Sequence, residues 1–169
     1  MKPTDLVLTR QGLRFRGWVF PCTIGQAGVS ATKREGDRAT PVGKHRIVGM
    51  LFRPDRMARP SPLARPIRPL DGWSDDPLDP AYNHLVRRPR AFSHESLFRA
   101  DPLYDLVLLT GWNWPEGVPG AGSAIFLHNW RRPGYPTAGC VALKLAHLRW
   151  IASRLHCNSM LIVRANLAD

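Results

Sequence analysis

The alternation of apolar and polar residues predicts a chain made mostly of short β-strands. Segments with a period of two, bounded by glycine, proline and polar residues, are typical of half-buried strands. Two continuous apolar runs, 105–109 and 123–127, are typical of central strands covered on both faces. The predicted strands are 5–9, 13–15, 17–24, 44–51, 105–109, 123–127 and 159–163.

Two segments predict helices instead. Over 144–157 the apolar residues recur at helical spacing, which places Leu148, Ile151, Ala152 and Leu155 on one face. Residues 93–99 predict a shorter helix that begins at Ser93 as its N-cap. The expected fold is therefore mainly β, with sandwich-like mixed sheets and one or two short helices.

The remaining segments predict loops. Residues 53–69 contain five Arg and five Pro, which resist both burial and regular hydrogen bonding, so an irregular insertion of about 53–90 is expected near a cleft. Within it, Asp71, Asp75, Asp76 and Asp79 match no standard calcium loop. We expect these carboxylates to make turns and to pair with nearby arginines, or to bind an amine of a substrate.

Composition adds an expected partner class. The 169 residues fit one domain, 1–169, and the net charge of +11 with a pI near 10.8 indicates an anionic partner or surface. Nucleic acid is one candidate, although no recognition-helix, zinc-finger or RNA-binding motif is present. No secretory signal is visible at the start of the sequence, and no segment reaches the length of a membrane span.

The candidate chemistry lies in one stretch that reads IFLHNWRRPGYPTAGCVAL. A strand delivers His128, and Cys140 follows twelve positions later, after a tight glycine turn. A thiol needs a base to become a good nucleophile at neutral pH, and a histidine can supply it. The alternative is that Cys140 is a buried core thiol and His128 a hydrogen-bonded strand-end residue. The other cysteines, Cys22 and Cys157, leave an odd number, which favours a free thiol over a disulfide framework.

The order strand-His, loop, [Ser/Thr]-x-Gly-Cys-[Val/Ile]-x-[Leu/Met] resembles the L,D-transpeptidase catalytic domain, the YkuD-like family. The matching positions are His128, Thr137, Gly139, Cys140, Val141 and Leu143. A second segment, Thr40-Pro41-Val42-Gly43, is similar to the family's Thr-Pro-x-Gly turn before a strand. The two motifs lie in the family's order about ninety residues apart, and the resemblance spans about 19–163.

The resemblance implies a peptidoglycan L,D-transpeptidase that needs no cofactor or metal. His128 would take the proton of Cys140, whose thiolate would attack the carbonyl of diaminopimelate in a donor stem peptide. The backbone N–H groups of Ala138, Gly139 and Cys140 would hold the oxyanion, and Thr137 would orient the loop or His128. The resulting thioester would pass to an amine of an acceptor stem, forming a 3→3 cross-link. Carbapenem-type β-lactams are the expected covalent inhibitors, and the periplasm or cell envelope is the implied compartment.

This chain departs from the family pattern near the cysteine. The family often has Ser-His-Gly-Cys, and Ala138 stands here in place of the second histidine; Ala142 replaces an arginine often found two residues after the cysteine. The loop between His128 and Cys140 is also shorter than usual. Substrate anchoring then falls to other candidates, which are Tyr82, Asn83, Trp112, Arg131, Arg132 and Lys144.

Three other functions are compatible with the sequence. Water in place of the acceptor amine would make the protein an L,D-carboxypeptidase or amidase on the same scaffold. A basic nucleic-acid-binding β domain would bind DNA or RNA with steep salt dependence and without Cys140. A zinc site could use His128, Cys140, His156 and Cys157, although no Cys-x-x-Cys pair supports it.

Overall fold

The computed structural model describes residues 2–167 and is built mainly of strands. The strands are β1 (Leu6–Thr9), β2 (Gly12–Phe15), β3 (Trp18–Phe20), β4 (Cys22–Thr23), β5 (Val29–Ser30), β6 (Thr40–Pro41), β7 (Gly43–Phe52), β8 (Ala64–Pro66), β9 (Asp71–Ser74), β10 (Leu85–Arg87), β11 (His94–Ser96), β12 (Leu106–Thr110), β13 (Phe126–Asn129), β14 (Val141–Leu143) and β15 (Met160–Val163). The helices are α1 (Leu145–Ala152) and a 3-10 helix (Pro102–Tyr104). The predicted mainly-β class with one or two short helices is confirmed.

The largest sheet has the strand order β3-β2-β1-β15-β7-β12-β13-β14-β4, with β8 added on β7. The ten-residue strand β7 connects its two halves. The first part of β7, beginning at Gly43, pairs with β15, whereas the part ending at Phe52 pairs with β12 and β8. β13 and β14 then run parallel to each other, which places Leu127 of β13 beside Val141 at the start of β14.

The alternation along the central strands separates two apolar clusters. Leu108 of β12 and Leu127 of β13 face a core that also contains residues of β1, β2, β15 and α1. Val107 and Phe126 face the opposite way and pack with Trp73 of a smaller sheet of order β10-β9-β11. Since side chains two apart share a face of a strand, His128 lies on the same side of β13 as Phe126. The functional cleft forms on that side.

The predicted strand 17–24 is wrong as a single element. It is divided into β3, which pairs with β2, and β4, which pairs with β14. The division falls at Pro21, which has no N–H to continue a ladder. A single strand would place Trp18, Phe20 and Cys22 on one face. Phe20 is buried and Cys22 is partly buried, but Trp18 is 65% exposed.

The predicted helix at 93–99 is also wrong. His94–Ser96 forms β11, which pairs antiparallel with β9, and Ser93 caps no helix. The predicted helix at 144–157 is confirmed only over Leu145–Ala152, and Leu155 stays buried in the turn that follows. The aspartate-rich segment begins as a strand rather than a loop, because Asp71–Ser74 forms the centre of the smaller sheet. Its pairing with arginines is present, in Asp71–Arg87 (2.6 Å) and Asp79–Arg90 (2.5 Å).

Candidate active site

The parallel pairing of β13 and β14 brings His128 and Cys140 to one cleft. His128 lies opposite Ala142 in the register, and Cys140 is the residue just before β14. The Sγ atom of Cys140 accepts a hydrogen bond from the N–H of Phe126 (3.4 Å). Both side chains line a cleft of about 770 Å³. Cys140 is thus partly buried, packing against the second apolar cluster while it lines the cleft.

The surroundings of His128 fix which ring nitrogen carries the proton. Its Nδ1 lies 2.7 Å from the carbonyl oxygen of Asn129. A carbonyl can only accept, so Nδ1 donates and Nε2 keeps a free lone pair. The ring of Tyr104 packs edge-on against the imidazole, with centroids 5.4 Å apart. His128 is 5% exposed and is held in an orientation suited to a general base.

Burial sets the charge of both groups. It lowers the pKa of His128 to about 4, and the hydrogen bond to Asn129 offsets only part of that shift. Burial also raises the pKa of the Cys140 thiol to about 12, against a smaller opposing effect of the Phe126 N–H. At neutral pH the free protein therefore holds a neutral imidazole and a neutral thiol. The thiol donates to the carbonyl of Ala124 (3.0 Å), and no hydrogen bond joins it to His128 among the described residues.

Thr137 orients the cysteine loop rather than the histidine. Its hydroxyl donates to the Cys140 carbonyl (2.6 Å) and accepts from the Gly139 N–H (3.1 Å). Gly139 was one of three predicted oxyanion donors, and its N–H is thus already occupied. The N–H groups of Ala138 and Cys140 donate to no acceptor within residues 2–167. These two N–H groups are the predicted oxyanion donors that remain available to a substrate oxygen.

The upstream Thr-Pro-x-Gly segment holds the same loop from the other side. The hydroxyl of Thr40 donates to the carbonyl of Gly139 (2.8 Å) and accepts from the N–H of Gly25 (3.0 Å). A Cβ on Gly139 would lie 2.9 Å from the carbonyl oxygen of Ala39, and its φ is +138°. Both facts require glycine there. The predicted turn at 40–43 is instead the short strand β6 followed by the start of β7.

Of the six predicted substrate-anchoring residues, Arg131 lines the cleft, and the other five do not. Arg132 and Lys144 are exposed outside it. Trp112 donates its indole N–H to the Ala121 carbonyl (3.0 Å), within its own loop. Tyr82 is buried and its hydroxyl donates to Glu35.

Asn83 acts behind the cleft. Its side-chain oxygen accepts from the Ala124 N–H (3.0 Å) and from the Trp73 indole (2.9 Å). Ala124, with φ +50°, in turn presents its carbonyl to the Cys140 thiol. Asn83 therefore supports the backbone on which the thiol rests, and the prediction that it contacts substrate is corrected.

Several charged cleft residues were not predicted from the sequence, namely Glu35, Arg38, Glu95 and Arg99. The cleft contains three carboxylates and three guanidinium groups, which are Glu35, Asp75, Glu95, Arg38, Arg99 and Arg131. Tyr104 was also missed, and its hydroxyl donates to Glu95 (3.3 Å). β11 supplies Glu95 and the 3-10 helix supplies Tyr104, both from parts of the chain with no recognisable motif. The mixed charge contrasts with the uniformly basic groove expected of a nucleic-acid-binding protein.

The structure tests three other features of the chain. Within the described residues, no group of three or more His, Cys, Asp or Glu side chains could hold a metal ion. The four residues suggested for a zinc site, His128, Cys140, His156 and Cys157, therefore form no such group there. Cys22, Cys140 and Cys157 are all free thiols. No helix in the described part of the chain is long and apolar enough to cross a membrane.

Comparison with known proteins is consistent with this geometry. The family model of the YkuD L,D-transpeptidase catalytic domain matches residues 3–163, which is nearly the whole chain. Neither the comparison with curated proteins nor that with solved structures finds a significant match. The match contains the cleft, both motifs and the cysteine loop. The chain therefore belongs to the L,D-transpeptidase catalytic domain family and is an enzyme that acts on peptidoglycan.

Proposed function

We propose that the protein is a cysteine-dependent L,D-transpeptidase that forms 3→3 cross-links between peptidoglycan stem peptides, with consequences for cell wall biogenesis and cell shape. The observation that carries the proposal is the presence of His128 and Cys140 in one cleft, with Nε2 of the imidazole free to accept a proton. Its substrates would be a donor and an acceptor stem peptide, each containing diaminopimelate.

The first half of the reaction forms a thioester. The proton of the Cys140 thiol moves to Nε2 of His128, and the sulfur attacks the carbonyl carbon of diaminopimelate. The developing oxyanion accepts from the N–H groups of Ala138 and Cys140, and one such donor contributes about 3–4 kcal/mol to transition-state stabilisation in other enzymes. The imidazolium then gives its proton to the departing nitrogen. D-Alanine leaves as a neutral amine, and the acyl group stays on the sulfur.

The second half returns the enzyme to its starting state. An amine of the acceptor stem attacks the thioester carbonyl and gives a proton to His128. The C–S bond breaks, and the proton returns to the sulfur as the new amide bond forms. The enzyme needs no cofactor for this cycle, because bond formation and bond cleavage balance in each half.

The neutral resting pair constrains how the thiol is activated. A thiol with a pKa of about 12 is ionised to only about 10⁻⁵ at pH 7. The reactive sulfur therefore has to lose its proton directly to His128 while it attacks. Because the thiol donates to Ala124 in the free protein, its proton has to turn away from that carbonyl first. Substrate binding beside Ala124 would favour this rotation.

Hydrolysis is the second candidate, with water in place of the acceptor amine. The residues that favour it are Arg131 to Pro136, all exposed, which leave one side of the cleft open to solvent. D-Alanine release from a tetrapeptide with and without an added stem-peptide amine separates the two reactions. Cross-linked product identifies a transpeptidase, and tripeptide alone identifies an L,D-carboxypeptidase.

The proposal is tested by intact mass after incubation with a carbapenem. We expect one covalent adduct on the wild type, and none on Cys140→Ala or His128→Ala, each folded by circular dichroism. Cys157→Ala is the matched control, because Cys157 is an exposed free thiol away from the cleft, and it should form the adduct normally. An adduct that persists in Cys140→Ala, or none on the folded wild type, would contradict the proposed mechanism. The nucleic-acid alternative predicts salt-dependent DNA or RNA binding that Cys140→Ala leaves unchanged.

A further inference from the structure

A second groove lies on the large sheet, away from the cysteine cleft. It has a volume of about 770 Å³ and is lined by residues of β7 and β15 and of neighbouring segments. Among the described residues, none lines both this groove and the cleft that contains the cysteine. The charged residues of this basic groove are Lys2, Lys44, Arg46, Arg164 and Asp5.

The pairing of β7 with β15 explains why the groove is basic. Lys44 lies opposite Ile162 in the register, and Arg46 lies opposite Met160. His45, between the two cations, is buried. Because side chains alternate across a strand, Lys44 and Arg46 lie on the opposite face from His45, and both are exposed. This face therefore presents cations beside apolar side chains.

The protein does not neutralise these cations. In the described part of the chain, no carboxylate oxygen lies within 4.0 Å of a side-chain nitrogen of Lys2, Lys44 or Arg46. Nε of Arg46 donates to the carbonyl of Cys157 (3.4 Å), which has no net charge to offset the guanidinium. Like charges gathered on one face repel one another and attract an anion.

The groove also contains a buried carboxylate with an unused oxygen. Asp5 is 7% exposed, and its Oδ2 accepts from the backbone N–H of Lys2 (2.6 Å). Its Oδ1 is buried and has no hydrogen-bond partner among the described residues. A buried acceptor without a donor is costly. A ligand that fits this groove therefore brings a hydroxyl or amide N–H as well as an anionic group.

The basic groove and the cysteine cleft lie on the same side of the large sheet. Ile47 of β7 faces the first apolar cluster, whereas Leu51 packs in the second, on the side of the cleft. Lys44 lies on the face opposite to Ile47. Leu51 is opposite Val107, which is opposite His128. Seven positions along β7 and two strand spacings thus separate Lys44 from His128, on the order of 25 Å.

This separation and the groove's lining indicate the kind of ligand. A group bound there is too far from the cysteine to belong to the peptide that is being cut, but a polymer can reach both places. Among the described lining residues none is aromatic, whereas grooves for single-stranded nucleic acid combine cations with aromatic side chains that stack on bases. Peptidoglycan carries carboxylates on its stem peptides and hydroxyl and amide groups along its glycan.

We propose that the basic groove is a second binding site for the peptidoglycan polymer. Lys2, Lys44 and Arg46 bind carboxylates of stem peptides that are not being processed. Asp5 accepts a hydrogen bond from a hydroxyl or amide N–H of the same polymer. The inference goes beyond the proposed function, because it requires only that the enzyme acts on peptidoglycan. The groove holds the enzyme on the polymer while the cleft engages another stem.

The first test measures sedimentation with insoluble peptidoglycan, using proteins that all carry Cys140→Ala so that the polymer is not altered. Adding Lys44→Gln and Arg46→Gln should weaken binding by about 3- to 30-fold at low salt, as expected for two exposed charge interactions. Adding Arg10→Gln and Arg149→Gln is the matched control, because it removes two exposed cations outside the groove. This control should bind like the Cys140→Ala parent.

The same assay with chemically modified peptidoglycan tests the role of the carboxylates. Converting the carboxyl groups of the polymer to amides should weaken binding of the parent by a similar factor. Failure of the parent to sediment, equal binding by the groove variant and its control, or unchanged binding of the amidated polymer would each overturn the inference. So would a DNA oligonucleotide whose binding requires Lys44 and Arg46 when peptidoglycan binding does not.

Turnover separates this inference from the proposed function. With Cys140 intact, the groove variant should release D-alanine more slowly than wild type from the insoluble polymer at low substrate. It should match wild type on a soluble tetrapeptide and in carbapenem acylation. Groove-dependent sedimentation by a protein that neither turns over the tetrapeptide nor is acylated would overturn the proposed function and support the second binding site.

Discussion

Thr40→Val should destabilise the protein by removing one hydroxyl from the junction of the two motifs. Thr40 is fully buried, and its Oγ1 joins the Gly25 N–H (3.0 Å) to the Gly139 carbonyl (2.8 Å). Valine keeps the shape of threonine, so the change leaves one buried donor and one buried acceptor without a partner. Each such group costs about 1–3 kcal/mol. We therefore expect the free energy of unfolding to fall by about 2–6 kcal/mol.

Urea denaturation at pH 7 measures this loss, and Thr40→Ser is the matched control. Serine keeps the hydroxyl and loses only a methyl group, which we expect to cost about 1 kcal/mol. The order of stability should thus be wild type, then serine, then valine, although valine preserves the buried volume. Carbapenem acylation should follow the same order, because Gly139 is held less firmly. If Thr40→Val were as stable as Thr40→Ser, the two hydrogen bonds would not contribute as argued.

Two further predictions concern the cysteine loop and the base. Gly139→Ala should abolish acylation, since the new Cβ would lie 2.9 Å from the Ala39 carbonyl oxygen. Gly134 is the control, because it has φ +75° and no atom lies within 4 Å of a Cβ placed there. Gly134→Ala should therefore acylate normally and lose about 1 kcal/mol of stability, measured by urea denaturation. Burial lowers the pKa of His128 from its ordinary value of 6.5 to about 4 in the folded protein. The unfolded chain therefore binds more protons between these values, and stability should fall by up to about 3 kcal/mol as the pH is lowered through that range. His128→Gln should remove this part of the pH dependence, and a difference between wild type and variant that did not change with pH would contradict the assignment.

The proposed catalytic pair could be located from the sequence because its signal is local. His128, Gly139 and Cys140 lie within one short stretch whose order resembles a family motif. The match of the family model over residues 3–163 confirms the family. What the sequence could not supply is how the loop is stabilised, since the partner of Gly139 is Thr40, 99 positions away.

The remaining parts of the cleft could not be predicted for a physical reason. Glu95 lies in β11, a three-residue strand too short to show a periodic pattern, and its neighbours were interpreted as a helix. Tyr104 reaches the site from a three-residue 3-10 helix that begins after Asp101. An Asp-Pro pair of this kind is common in turns and does not indicate a functional site. Conversely, Tyr82 and Asn83 were predicted near substrate because they adjoin an acidic segment, but their hydrogen bonds lie inside the protein. Polar residues in a loop do not reveal from sequence whether they face solvent or support the backbone.

The structure also changes the reason why glycine precedes the cysteine. The sequence predicted Gly139 as part of a tight turn and as an oxyanion donor, whereas the nearest atom to a Cβ at that position is the carbonyl oxygen of Ala39. The contact is therefore internal, and it joins the upstream motif to the catalytic loop. The loop conformation frees the N–H of Cys140 while using that of Gly139 for Thr137. Residues 39–40 therefore position Gly139 and the cysteine loop. Under the proposed mechanism, changes there should impair catalysis even when His128 and Cys140 are intact.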